Sequence, residues 1–176
     1  MAGYFSYFPK ILYDVEGNGN PKVVTDILRR VKSRDGTNED FSALSEYNVA
    51  NGETPETVSY KLYGTVDYYW IILLVNNIKD RYYDWPLNEQ QFEAYVNGKY
   101  ANPLAAHHYE ITQTSGPTSS VDDSHLVEVN STTSGALAVS NYEYERRLQE
   151  QKRRIKIIPQ EFIPEIIDEF KELIRR

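Results

Sequence analysis

The stretch Tyr68 to Val75, Tyr-Tyr-Trp-Ile-Ile-Leu-Leu-Val, is the longest apolar run in the chain. At helical spacing Trp70, Ile71, Leu73, Leu74 and Val75 cover most of a helix's circumference, so such a helix must be buried on nearly all sides. The run is far shorter than the ~18–20 residues a membrane span requires. It therefore demands a core built by its neighbours. Upstream, Tyr47 and Val49 alternate with polar residues as in a short strand, and Asn51-Gly52 turns the chain. Thr54 is a good N-cap, and Pro55 sits at the first helical position, where its missing N–H costs nothing. Val58 and Leu62 share one helical face, and Gly64 ends that helix in the left-handed conformation. Thr65 starts the second helix, with Asp67 in its first turn favoured by the helix dipole, and Asn76-Asn77 closes it. Residues 46–80 thus predict a strand–helix–helix unit joined by very short turns.

The flanks differ in character. Tyr4, Phe5, Tyr7 and Phe8 open on aromatic–polar alternation, followed by Ile11, Leu12 and Tyr13, and the stretch reads as extended structure, with Pro9 at an edge or bend. Gly17-Asn18-Gly19-Asn20-Pro21 is a turn, Val23-Val24 a short strand, and Ile27, Leu28 and Val31 have helical spacing. Residues 33–41 form a polar loop. After the unit, the aromatic segment 82–87 reads as partly extended. Asn88 caps a third helix with Gln91 completing a capping box, Phe92, Tyr95 and Val96 on its apolar face, and Asn97-Gly98 stopping it. Short strands at 108–111, 126–129 and 136–139 interrupt a Ser/Thr-rich region and predict a projecting hairpin or small meander. Ser140 or Asn141 caps a charged helix over 142–154, Ile155 to Ile158 form a strand, and Pro159 or Pro164 opens a terminal helix. On that helix Phe162, Ile163, Ile166, Ile167, Phe170, Leu173 and Ile174 recur at three-and-four spacing. The stripe fits either its own core or a partner helix.

A chain of 176 residues can bury roughly 70% of its unfolded surface, so a real core is possible. Absence of cysteine excludes disulfides, thiol nucleophiles, thiolate zinc sites and iron–sulfur clusters. The N-terminus, MAGYFSYFPK, has neither a basic start nor an apolar signal core, so the chain is expected to be soluble. A net charge of −7 argues against holding nucleic acid or an anionic membrane. Residues 1–140 carry 10 basic and 18 acidic side chains, residues 141–176 carry 9 and 8. The basic cluster Arg146, Arg147, Lys152, Arg153, Arg154 and Lys156 is thus either a solvated helix face or a contact for an acidic partner. Fifteen tyrosines suit half-buried surfaces, which leaves open a tyrosine-rich core or an interaction protein.

Catalysis finds little support. His107 and His108 are adjacent, so on a strand they face opposite sides, and His125 stands apart. No serine sits in a Gly-x-Ser-x-Gly elbow, and no metal-ligand spacing such as His-Glu-x-x-His occurs. Glu53 and Asp84 are candidates for paired acid–base work only because they flank the compact unit, and a chain of net charge −7 has many acids. The Gly-Asn-Gly-Asn turn lacks the following helix a phosphate site needs. Asn130-Ser131-Thr132 matches the glycosylation pattern but has no secretion signal beside it. No cofactor and no metal are implied.

Tyr47-x-Val49, Gly52-Glu53-Thr54, a helix, Tyr63-Gly64, a second helix and Asn76-Asn77 together resemble a LysM module. That family folds as βααβ and usually binds N-acetylglucosamine-containing glycans through the loops after the first strand and after the second helix. The resemblance carries those loops onto Gly52, Glu53, Thr54 and Pro55, and onto Asn77, Ile78, Lys79 and Asp80. LysM modules usually finish with Pro-Gly-Gln and an apolar strand, whereas here Tyr83-Asp84-Trp85-Pro86-Leu87 leads to another helix. Over nearly its whole length the chain resembles the LysM-containing baseplate wedge protein of contractile-tailed phages. Tyr4, Phe8-Pro9, Asp26-Ile27-x-Arg29-Arg30-Val31, Trp70 to Leu73, Tyr83 to Leu87, His107 to Glu110 and Tyr144-Glu145 with Lys152-Arg153-x-Ile155-Lys156 carry it. That resemblance implies a structural, non-enzymatic subunit of the virion tail baseplate, assembled in the host cytoplasm. It implies six copies per baseplate, joining neighbouring wedges into a ring around the central hub.

The expectation is an α+β chain. An extended arm with a short helix fills 1–45, a LysM-like βααβ module plus the following helix 46–100, a β-hairpin insertion 101–140, and the charged helix, short strand and amphipathic helix 141–176. The partners are other wedge subunits and neighbouring copies, without nucleic acid or membrane. Tyr83, Trp85, Arg146, Arg147, Arg153, Phe162, Ile166 and Phe170 are the candidate partner interface. The alternative is a peptidoglycan- or chitin-binding module.

Overall fold

The structure, a computed structural model, describes residues 3–32, 44–112 and 125–176. The polar loop read at 33–41 lies outside them. In chain order the elements are a 3-10 turn at Tyr4–Tyr7, β1 (Lys10–Tyr13), β2 (Lys22–Thr25), β3 (Ser45–Asn48), α1 (Pro55–Tyr63), α2 (Tyr69–Val75), α3 (Arg81–Asp84), α4 (Glu89–Lys99), β4 (Ala106–Thr112), β5 (Leu126–Val129), β6 (Leu137–Ser140), α5 (Asn141–Arg153), β7 (Arg154–Ile157), a 3-10 turn at Gln160–Phe162 and α6 (Ile163–Arg175). The chain is 42% helix and 21% strand, and every described strand pair is antiparallel, which makes it α+β. Contacts divide it into two units, Met1–Trp85 with Arg153–Arg176, and Pro86–Lys152.

In the first unit β3, α1 and α2 follow one another, and β7 pairs antiparallel with β3, Tyr47 opposite Ile155 and Ser45 opposite Ile157. The strand that closes the sheet thus comes from the far side of the second unit's sequence. Thr54 caps α1 as the spacing predicts, its Oγ1 accepting from the Thr57 N–H while Thr57 Oγ1 accepts from the Thr54 N–H. Gly64 ends α1 at φ 70°, where a side chain would be strained. The second helix starts at Tyr69, four residues later than the sequence reading, because Thr65 is spent on a turn. Its Oγ1 accepts the Asp67 N–H and its carbonyl accepts the Ser59 hydroxyl.

Val58, Ile71, Ile72 and Ile155 are buried at the centre of this unit. Each such side chain contributes roughly 1.5–3 kcal/mol by burial. An aromatic cluster extends the core: Trp70 lies 4.6 Å from Phe170 and 5.4 Å from Tyr4, ring centre to ring centre. Tyr4 to Tyr7 is therefore a turn packed on the core, where the alternation had suggested extended chain. Helix α6 buries Ile163, Phe170 and Ile174, so its apolar stripe packs on this chain's own core. Residues 26–32 do not form the expected helix. Asp26 instead accepts the Leu28 N–H and pairs with Arg29, and its own N–H donates to the Pro9 carbonyl. The segment 82–87 is not extended at its start. Asp80 caps the single turn of α3 through the Tyr82 N–H, and Asp84 Oδ2 accepts the N–H groups of Lys79 and Asp80.

In the second unit Asn88 and Gln91 form the predicted capping box of α4, which runs through Asn97-Gly98 to Lys99. Phe92 and Val96 are buried, and Phe92 meets Tyr142 of α5 edge to face at 5.3 Å. The three strands are ordered β5-β4-β6, with β4 central. They form a hairpin plus a third strand on the opposite edge, not a meander in chain order. A register shift between Ala106 and His108 lets the adjacent His107 and His108 bring their Nδ1 atoms within 2.8 Å, where a regular strand would hold them apart.

Asn76 ties the end of α2 to the closing strand. Its Nδ2 donates to the carbonyls of Ile72 (2.8 Å) and Lys156 (2.7 Å), and its Oδ1 accepts the Lys156 N–H at 2.8 Å. Substituting Asn76→Ala leaves the Lys156 backbone groups unmatched and is predicted to cost about 2–3 kcal/mol in urea denaturation. A loss under about 0.5 kcal/mol would show that the clamp carries no weight.

Candidate protein interface

The loops at 52–55 and 77–80 are the glycan-groove candidates of the LysM resemblance. Gly52 turns at φ 79° and Asn77 at φ 51°, so both loops have the sharp reversals expected of them. Glu53 points inward. Its carboxylate accepts the Tyr47 hydroxyl (3.0 Å) and the Ala50 N–H (2.8 Å) and pairs with Lys61. Burial pushes the Glu53 carboxyl up, but Lys61 and the two donors outweigh it and hold it below the usual carboxylate range. Thr54 is committed to the helix cap and Pro55 is buried. On the second loop Ile78 is half-buried, Lys79 is exposed, and Asp80 caps α3.

The chain then returns across the first loop. Arg81 pairs with Glu56 at 2.5 Å, and the Trp85 indole N–H donates to the Glu53 carbonyl at 2.8 Å. Glu53 and Asp84 are thus each engaged in local structure, the first with Lys61 and the second with two backbone N–H groups. Among the described residues no group of three or more His, Asp or Glu could hold a metal ion. The Gly-Asn-Gly-Asn turn closes the β1–β2 hairpin, Asp14 accepting the N–H groups of Asn18 and Gly19.

The residues read as a partner surface divide. Trp85 (6% exposed) and Phe170 (2%) are buried in this chain's own core. Phe162 and Ile166 are half-buried against that core, and the Arg153 guanidinium donates to the Val49 carbonyl. Arg146 pairs with Glu89 (2.6 Å), and Arg147 with Glu110 (2.7 Å) and Glu143 (2.7 Å), so these cations serve the second unit internally. Tyr83 stays largely exposed beside Tyr82.

An exposed apolar surface lies elsewhere, on the β1–β2 hairpin. Leu12 (69% exposed) and Val23 (65%) stand opposite each other in register, with Val15 and Tyr13 nearby in sequence and also exposed. An isolated two-stranded hairpin is marginal in water, so an apolar face on it invites a covering partner. The signal was present in the sequence. Lys-Ile-Leu-Tyr and Lys-Val-Val-Thr place apolar residues on both faces, without the alternation of a half-solvated strand.

Within the second unit Glu145 is a buried acid held by Lys99 (2.6 Å) and the Tyr100 hydroxyl (2.7 Å). Burial pushes its carboxyl up, but these two partners prevail and hold it below the usual range, while Glu145 and then the Tyr95 hydroxyl raise Lys99. Arg147, with His108, holds Glu110 low as well. A depressed carboxylate contributes stability that is present above its unfolded value and lost as pH falls through the folded one. The melting temperature is therefore predicted to fall below about pH 4.3, and Glu145→Gln to be less stable at pH 7 with a shallower acid decline. Parallel profiles for the two proteins would rule the Glu145 contribution out. Trp85→Phe keeps an aromatic side chain but loses the indole N–H donor to the Glu53 carbonyl and part of the buried ring volume, and is predicted to destabilise by at least about 1–2 kcal/mol in denaturant titration. Unchanged stability would mean that the indole hydrogen bond to Glu53 carries no weight.

A family model described as base plate wedge protein 53 matches residues 4–107, more than half of the chain. That span covers the aromatic turn, the exposed hairpin, β3, α1 to α4 and the start of β4. Comparison with curated proteins gives no match. With a match of that extent, the chain belongs to the phage base plate wedge protein 53 family.

Proposed function

We propose that this chain clamps adjacent wedges of the baseplate together, as a finer role within the structural baseplate part that its family carries. Family membership places it in the virion tail baseplate among other baseplate subunits. The observation that carries the clamp reading is the exposed apolar hairpin face at Leu12 and Val23, a surface that water does not favour and a neighbouring subunit would cover. In this reading β3, α1, α2 and β7 form a LysM-like βααβ anchor, supported by their order and by the antiparallel β3–β7 pairing. The loops at 52–55 and 77–80 then have a structural use, supported by the Trp85 and Arg81 contacts that secure them. The count of six copies per baseplate that the family resemblance implies fits a clamp.

The test is assembly. Purified wedge subunits are mixed with and without this chain, and ring formation is followed by sedimentation and negative-stain microscopy. Rings are predicted only when the chain is present. The pair of substitutions Leu12→Glu and Val23→Glu, both on exposed positions, is predicted to leave the circular dichroism spectrum intact and cut ring yield by about tenfold. Rings that form equally without the chain would overturn the clamp.

A further inference from the structure

A second surface in the first unit has a different chemistry. A groove of about 560 Å³ is floored by Trp70, Leu73 and Leu74 of α2, with Tyr4 and Phe8 beside them. Its other wall is residues 27–32, where Leu28 is 91% exposed. Among the described residues, the charged ones that line it are Arg29, Arg30, Lys32 and Lys79, with no Asp or Glu beside them in the lining. Arg29 shares its charge with Asp26 and donates to the Ile174 carbonyl, while Arg30 and Lys79 lie exposed at the rim. On a chain of net charge −7, the charged side chains among the described lining residues are all positive.

An apolar floor within a basic rim selects an occupant that supplies apolar anchors and negative charge together. We propose that this groove docks an acidic peptide segment, carrying at least one large aliphatic or aromatic anchor, from a neighbouring baseplate subunit. The inference rests on membership in the baseplate and is independent of the clamp at the hairpin. Nucleic acid also carries negative charge, but the remainder of the chain repels it, and the groove floor offers side chains suited to apolar anchors.

The experiment places a photo-reactive benzoylphenylalanine at Leu28 of the full chain, in baseplates assembled during infection, and identifies the cross-linked peptide by mass spectrometry. The expected peptide belongs to another baseplate subunit, has an excess of Asp and Glu, and carries an apolar side chain near the cross-link. Arg30→Glu with Lys79→Glu, both solvent-facing, is expected to lower the cross-link yield by at least about tenfold while the chain still folds, and Arg30→Lys with Lys79→Arg to preserve it. A neutral or basic peptide, a nucleic-acid adduct, a second copy of this chain, no adduct, or a yield indifferent to charge reversal overturns the proposal. Particles that lack the chain altogether would remove the baseplate reading and this one together. Particles that contain it with the groove uncrosslinked would overturn the groove alone.

Discussion

The pairing of β7 with β3 is the constraint on which the first unit depends. Helix α2 is apolar around most of its circumference and cannot stand against water, so it needs cover from several directions. Helix α1 supplies one side, and the two-stranded sheet supplies another, but the sheet exists only once residues 154–157 return to meet 45–48. Asn76 couples the two events, because its side chain fixes the end of α2 and the edge of β7 with the same three hydrogen bonds. The hydroxyl of Tyr63 on the Ile158 carbonyl adds a link from α1 to the chain just beyond the strand. The unit therefore closes by long-range contacts, and its folding must wait on loop closure across the intervening sequence.

That arrangement explains the use of aromatic residues. Tyr4, Tyr7, Tyr47, Tyr63, Tyr68 and Tyr69 lie in or against the core, while Tyr13, Tyr60, Tyr82 and Tyr83 are exposed. The composition left a tyrosine-rich core and an interaction surface as alternatives, and the structure uses tyrosine for both places. The buried rings draw the N-terminal turn, α2 and α6 to one point around Trp70 and Phe170. The family's structural part in the baseplate suits a body whose ends are anchored this way, with the apolar hairpin left outside the core.

Local signals were legible wherever one residue type has one physical use. Thr54 with Pro55, Gly64, Asn88 with Gln91, and Ser140 each mark a helix boundary that the structure reproduces. Periodicity failed at residues 26–32, where three apolar positions over seven residues lost to the side-chain turn made by Asp26. It also misplaced the start of α2, because a threonine serves a turn as readily as a cap. The closing strand was visible as Ile155 to Ile158, but nothing local in a four-residue strand names its partner. Likewise, apolar residues at Trp85 and Phe170 looked the same as a partner surface until tertiary contacts placed them inside. On α5, Arg146 and Arg147 pair with Glu89 and Glu110, whose proximity depends on the fold of the second unit, whereas the Arg147–Glu143 pair is one helical turn apart and local.

In the proposed clamp, neighbouring subunits hold this chain through the hairpin. A cryo-electron microscopy map of the assembled baseplate tests it most directly. The account predicts the side chains of Leu12 and Val23 buried against another subunit at the junction between two wedges. Density showing that hairpin in solvent, with the chain touching a single wedge only, would contradict it.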